Sequence, residues 1–157
     1  MSGPNSTNNF ETLNVRRFVA ASPDRVFRAW TNSDEIKKWW GPNDVSCLSV
    51  EVDLQVGGQY RIENGLPDGS VLWISGKFEV IEKPHLLIFT WIVENASPTT
   101  ELVEVRFKPH ESGTNVIVTH GRIATKVLSE RHQQGWIGCL EGLAEYLTEN
   151  EAPIGRS

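Results

Sequence analysis

The sequence is poor in the residues that build disulfide frameworks, metal clusters and nucleic-acid surfaces. Its 157 residues include two cysteines, Cys47 and Cys139, far apart in the chain. Two isolated cysteines make neither a disulfide framework nor a zinc site, so both are expected as reduced core thiols in a cytoplasmic protein. Fifteen Lys and Arg stand against 20 Asp and Glu, for a net charge of −5, and no basic run occurs. Nucleic acid and anionic membrane surfaces attract clustered positive charge, so neither is an expected partner. No stretch approaches the about 20 apolar residues that span a bilayer, so membrane insertion is not expected. The start, Met1-Ser2-Gly3-Pro4-Asn5-Ser6-Thr7-Asn8-Asn9, lacks the basic and apolar regions of a secretory signal. No Gly-x-Ser-x-Gly nucleophile motif occurs, and the Ser, His and Asp residues suggest no triad. Gly57-Gly58 leads into neither Lys-Ser/Thr nor a helix, so it is a strand bend rather than a phosphate loop. No catalytic residue, metal or cofactor is expected.

What is present is an ordinary globular balance, 39% apolar and 22% charged, enough for one domain with a real core. That domain is expected over residues 10–150, with flexible tails at 1–9 and 151–157. Leu13, Val15 and Val19 share one parity of a first strand, with Phe18 on the other. Ser22-Pro23-Asp24 starts a helix: a capping hydroxyl, a proline at the first position, an acid at the positive end. Val26, Phe27 and Trp30 follow at helical spacing. Asn32-Ser33-Asp34-Glu35 starts a second short helix bearing Ile36, Trp39 and Trp40, which Gly41-Pro42 stops.

Strands occupy the middle of the chain. Leu48, Val50, Val52 and Leu54 alternate with polar residues, the pattern of a strand with one buried face. Tyr60-Arg61-Ile62 follows the glycine pair, and Pro67-Asp68-Gly69 is a turn. Val71 to Glu82 reads as a long strand. Leu86 to Val93 is nearly all apolar, as at a sheet centre. Ser97-Pro98 is a loop. Val103, Val105 and Phe107 then share a face, as do Val116, Val118 and His120, with Ser112-Gly113 turning between them. Glu104 and Arg106 fall on the opposite, solvent side as a surface pair; Glu51 and Asp53 read as exposed too.

From Ser129, taken as a cap, the period changes to that of a helix reaching about Glu149. Trp136, Leu140, Leu143 and Leu147 form a narrow apolar stripe flanked by His132 and Cys139. Gly135, Gly138 and Gly142 cluster beside it. Each costs about 1 kcal/mol relative to alanine, so close approach to the sheet or to a ligand should offset them. Consecutive strands with short turns make an antiparallel meander, and a single amphipathic helix must bury its stripe on one concave face.

Six segments in this order resemble the activator of Hsp ATPase homologue-like family, within the START and birch-pollen-allergen (SRPBCC) helix-grip superfamily. They are residues 19–31, Lys38-Trp39-Trp40-Gly41-Pro42, Asp53 to Tyr60, Glu82-Lys83-Pro84 through Trp91, Gly113-Thr114 to His120, and Gln134-Gly135-Trp136 with Leu140, Leu143 and Leu147. One departure is Gln55, where the family usually carries a basic residue. The resemblance runs from about residue 12 to 148. It implies an α+β helix-grip fold: a curved antiparallel sheet wrapped around a long C-terminal helix, with two short helices after the first strand. It also implies a link to chaperones and stress response. The fold hosts carriers, receptors, cyclases and co-chaperone domains, so it does not by itself assign an activity.

The candidate site is the space between sheet and helix. Six tryptophans are many for this length, and flat faces with an N–H donor suit aromatic ligands. Trp39, Trp40, Trp73, Trp91 and Trp136 are candidate lining residues, with Tyr60, Phe89, Phe107 and Leu140. Ordinary core packing is the competing reading for each. His120 and His132 can both face the cavity and hydrogen-bond a ligand or move a proton, though no orienting carboxylate is fixed by the sequence. Three functions remain open: binding of a small apolar or aromatic molecule without catalysis, a chaperone-linked interaction module, or a cavity-based cyclase, dehydratase or hydrolase. The edge strands of an open sheet make a homodimer a further expectation.

Overall fold

The computed structural model describes residues 10–41, 44–96 and 99–151. The expected tails at 1–9 and from 152 onward, Pro42 of the helix stop and the Ser97-Pro98 loop lie outside the described residues. Strand β1 (Glu11–Val19) precedes two short helices, α1 (Pro23–Thr31) and α2 (Ser33–Trp39). Six strands follow: β2 (Ser46–Val52), β3 (Gln59–Gly65), β4 (Val71–Glu82), β5 (Leu86–Val93), β6 (Glu101–His110) and β7 (Gly113–Ile123). Helix α3 (Lys126–Glu151) closes the order.

All seven strands form one antiparallel sheet in the order β1-β7-β6-β5-β4-β3-β2. The apolar run of β5 occupies its centre, as its composition requires. Register breaks fall between Glu11 and Leu13, Cys47 and Ser49, and Phe78 and Val80. Such breaks bend a strand and raise its twist, which curves the sheet. The inner face carries Leu87, Phe89 and Trp91 of β5, Val103, Val105 and Phe107 of β6, and Val116, Val118 and His120 of β7, all buried. Trp136, Leu140, Leu143 and Leu147 of α3 close over it. Burying each leucine contributes about 1.5–3 kcal/mol. No helix is long and apolar enough to cross a membrane among the described residues.

The helix starts follow local chemistry. Ser22 Oγ accepts the Arg25 N–H at 3.2 Å, and Asn32 Oδ1 accepts the Glu35 N–H at 3.1 Å. Glu35 pairs with Arg25 at 2.8 Å and Arg28 at 3.2 Å, and accepts the Tyr146 hydroxyl at 2.7 Å. This one carboxylate ties α1, α2 and the far end of α3 together. Burial pushes its carboxyl up, but Tyr146 and the arginines outweigh that and hold it below the ordinary 4.5.

Three expectations need correction. Helix α3 is capped by Thr125, not Ser129: the Leu128 N–H donates to Thr125 Oγ1 at 3.1 Å, and Ser129 is buried inside the helix. Both residue types cap helices, and the strand ends early enough for Thr125 to be used. Leu48 is 47% exposed rather than buried, because the bulge between Cys47 and Ser49 shifts the phase of β2. Leu54 lies past the end of β2 and is exposed as well. Both cysteines are free, and burial pushes the Cys139 thiol up to about 12.

Two of the helix glycines differ in what surrounds them. A Cβ on Gly142 would stand 2.7 Å from the Trp39 carbonyl oxygen, whereas one on Gly135 would meet nothing within 4 Å. Gly142 therefore lets α3 approach α2, and Gly135 does not serve packing. Gly142→Ala is expected to lower stability by about 1–3 kcal/mol. Gly135→Ala is expected to raise it by up to about 1 kcal/mol through helix propensity. Urea unfolding of the two variants reads both signs, and equal shifts would contradict the assignment.

Candidate functional site

One helix cannot fill the whole concave face, and indoles take up much of what remains. Trp30, Trp39, Trp40, Trp91 and Trp136 form a connected set, with centroids of neighbouring rings 5.0–6.2 Å apart. Trp30 stacks on Trp136 at 18° between planes, while Trp40 meets Trp136 edge-on. The Trp39 N–H donates to the Ala29 carbonyl at 2.9 Å, and that of Trp40 to Asn64 Oδ1 at 2.8 Å. The buried Trp91 N–H has no partner among the described residues.

Two spaces adjoin this set. The smaller, about 30 Å³, lies between Trp30, Ile36, Trp39, Trp40, Tyr60, Phe78, Phe89 and Trp91. The larger, about 150 Å³, lies between Trp40, Asn64, Leu72, Ile74, Trp91, Val93 and the first turns of α3, where Arg131, His132, Gly135, Trp136 and Cys139 border it. Trp40 and Trp91 belong to both walls. A cavity of about 150 Å³ has room for a benzene-sized molecule.

A polar chain lies against the larger space. The Trp136 indole N–H donates to His120 Nδ1 at 2.9 Å. His120 Nε2 meets Glu101 Oε1 at 2.7 Å, and His132 Nε2 meets the same oxygen at 3.0 Å. The two imidazoles are stacked, with centroids 4.7 Å apart. Glu101 is 2% exposed and His120 is fully buried. With Nδ1 accepting from Trp136, neutral His120 carries its proton on Nε2 and donates it to Glu101. Burial pushes the Glu101 carboxyl up, yet hydrogen bonds and charge from His120 and His132 outweigh it and hold the group below 4.5. Burial lowers His120 below 6.5, with the Glu101 hydrogen bond opposing.

Glu101, His120 and His132 bring three ligand atoms within 4.8 Å of one another, which the sequence spacing did not reveal. As bonded here, the His120 lone pair that a metal would need carries a proton, and its other nitrogen is engaged by Trp136. The arrangement is a hydrogen-bonded chain around a buried carboxylate.

Of the residues expected to line the site, Trp39, Tyr60, Phe89 and Trp91 border the smaller space, and Trp91, His132 and Trp136 the larger. His120 lies behind Trp136. Phe107 packs edge-on against Phe27 and Trp30, and Leu140 is buried in the core; neither borders a cavity. Trp73 is on the outer face: the Arg61 guanidinium covers its ring at 3.8 Å and pairs with Glu94 at 2.9 Å. In β4 Ile74 and Phe78 point inward, so Trp73 points out. Glu101 was missed, although it shares the parity of Val103, Val105 and Phe107 and lies two residues before that run. Glu104 and Arg106 form the expected surface pair at 2.7 Å.

The model for the family described as activator of Hsp90 ATPase homolog 1-like protein matches residues 20–148. Among solved structures, the chain is similar to a protein from Nitrosomonas europaea at 26% identity, covering 89% of this chain and 96% of that one, with a TM-score of 0.78. It is similar to a Chromobacterium violaceum protein at 24% identity, covering 87% and 96%, with a TM-score of 0.80. An AHSA1 protein from Silicibacter pomeroyi shares the fold at 22% identity, covering 90% and 100%, with a TM-score of 0.81. No curated protein matches.

The polar chain makes stability depend on pH. His120 and Glu101 both titrate lower in the folded chain than in the unfolded one, so the stability they add is complete above 6.5. It is lost in two stages on acidification, from 6.5 downward for His120 and from 4.5 downward for Glu101. Glu101→Gln should cost about 2 kcal/mol at neutral pH, as two hydrogen bonds lose their charged acceptor. It should also shrink the second stage, leaving the part due to Glu35, Glu94 and Asp68, which titrate low as well. Urea midpoints measured across the acid range test this; an unchanged lower limb would contradict it.

Proposed function

The chain belongs to the activator of Hsp90 ATPase homolog 1-like family, and from that premise we propose that it binds a small apolar or aromatic molecule between the sheet and α3. The observation that carries this reading is the 150 Å³ space walled by Trp40, Trp91 and Trp136. Protein interiors are close-packed, and an unfilled apolar space forgoes dispersion contacts that a ligand would supply. Gly135 in its wall supports the same reading, because alanine would suit the helix better and its Cβ would meet nothing within 4 Å. Trp39, Tyr60 and Phe89 back the aromatic set from the smaller space, His120 holds Trp136 through its hydrogen bond, and Phe107 and Leu140 lie in the core. The reading is binding without turnover, and the thiol beside the cavity, Cys139, stays protonated at physiological pH and offers no thiolate nucleophile.

The family's description favours a second reading, an interaction module acting on a chaperone ATPase. That role needs an exposed surface rather than a cavity. Stimulation of a purified Hsp90 ATPase by this chain would support it, and no effect at saturating concentration would remove it.

The cavity reading is tested with para-fluorotoluene followed by fluorine NMR. Saturable one-site binding is expected. Gly135→Leu, which extends a side chain from the cavity wall, should weaken it about tenfold or more while leaving the urea midpoint unreduced. A response that never saturates, or that Gly135→Leu leaves unchanged, would overturn the reading.

A further inference from the structure

The wall of the larger space is apolar except at a few points. Asn64 is one, but its carbonyl oxygen accepts from Trp40 and its amide donates to the Leu72 carbonyl at 3.0 Å. Besides Arg131, two groups remain with unused capacity. The Trp91 indole N–H is buried and lacks an acceptor among the described residues. His132 engages Glu101 through Nε2, which leaves Nδ1.

These two groups are neighbours. Their ring centroids stand 6.1 Å apart, edge-on, and both side chains border the same space. An oxygen seated between them would serve both groups if it accepts from Trp91 and donates to His132 Nδ1. A hydroxyl does both. A carbonyl or ether only accepts. A carboxylate would bring a second negative charge towards buried Glu101.

We propose that Trp91 and His132 form the polar end of the cavity and select a ligand carrying a hydroxyl on an aromatic body of about one ring. The proposal rests on the cavity reading above and adds the chemical class. A buried donor without a partner is destabilising, and a bound hydroxyl satisfies it. A site built this way rejects an analogue that lacks the group, since both protein partners are then left unpaired. Arg131, at the same cavity, represents the competing choice of an anionic ligand.

The experiment compares para-fluorophenol, para-fluorotoluene and para-fluorobenzoate by fluorine NMR titration of the full chain. The wild-type protein should bind the phenol about tenfold more tightly than the toluene. His132→Leu should abolish that preference, phenol and toluene then binding alike, and His132→Gln, which retains an acceptor, should restore part of it. Imidazole nitrogen shifts should show His132 Nδ1 unprotonated and shifting on phenol binding. Equal binding of phenol and toluene, or a preference that survives His132→Leu, would overturn the proposal and leave the cavity reading intact. Tightest binding of the benzoate would assign the site to anions and overturn it too. Failure of both neutral probes would overturn the cavity reading and this proposal together.

Discussion

A single helix has to cover the concave face of a seven-stranded sheet, and most of this structure follows from that mismatch of areas. The stripe of Trp136, Leu140, Leu143 and Leu147 buries one strip of the face. Gly142 brings α3 against the end of α2, so the two short helices can cover part of the rest. Large flat side chains then fill the corners, because an indole covers more area per residue than any aliphatic group. Filling by rigid rings is never complete. The remaining space lies where α3 begins, next to Trp40, Trp91 and Trp136.

The second constraint is the carboxylate at Glu101. An isolated charge in a protein interior is strongly unfavourable, and here two imidazoles and, through one of them, an indole compensate it. The chain joins β6, β7 and two positions of α3. It therefore fixes the rotation of the helix about its own axis, which a greasy stripe alone leaves loose. Trp136 takes part in both systems: its ring belongs to the aromatic set and its N–H ends the polar chain.

Much of this was legible in the sequence. The bounds of β4 and β5, both short-helix caps and the α3 stripe follow from period and capping chemistry alone. Each failure has a local cause. Leu48 was misplaced because a bulge resets parity without leaving a mark in composition. Trp73 was grouped with the other tryptophans by residue type, whereas the face it occupies is fixed by its register opposite Glu63. Glu101 went unnoticed because an acid at the start of a strand looks like a surface residue. Only the pairing of Val103 with His120 and the reach of His132 from α3 show what it meets. The cavity itself has no sequence signature, since it is the volume left over after packing.

The aromatic set has an optical consequence. Five of the six tryptophans lie ring to ring, each within 6.2 Å of another, while Trp73 is apart on the outer face under Arg61. Excitation absorbed by any of the five migrates among them before it is emitted. A change in the surroundings of Trp91 therefore reaches the emission of the rings beside it, Trp40 and Trp136. The outlying Trp73 supplies an internal reference in the same spectrum.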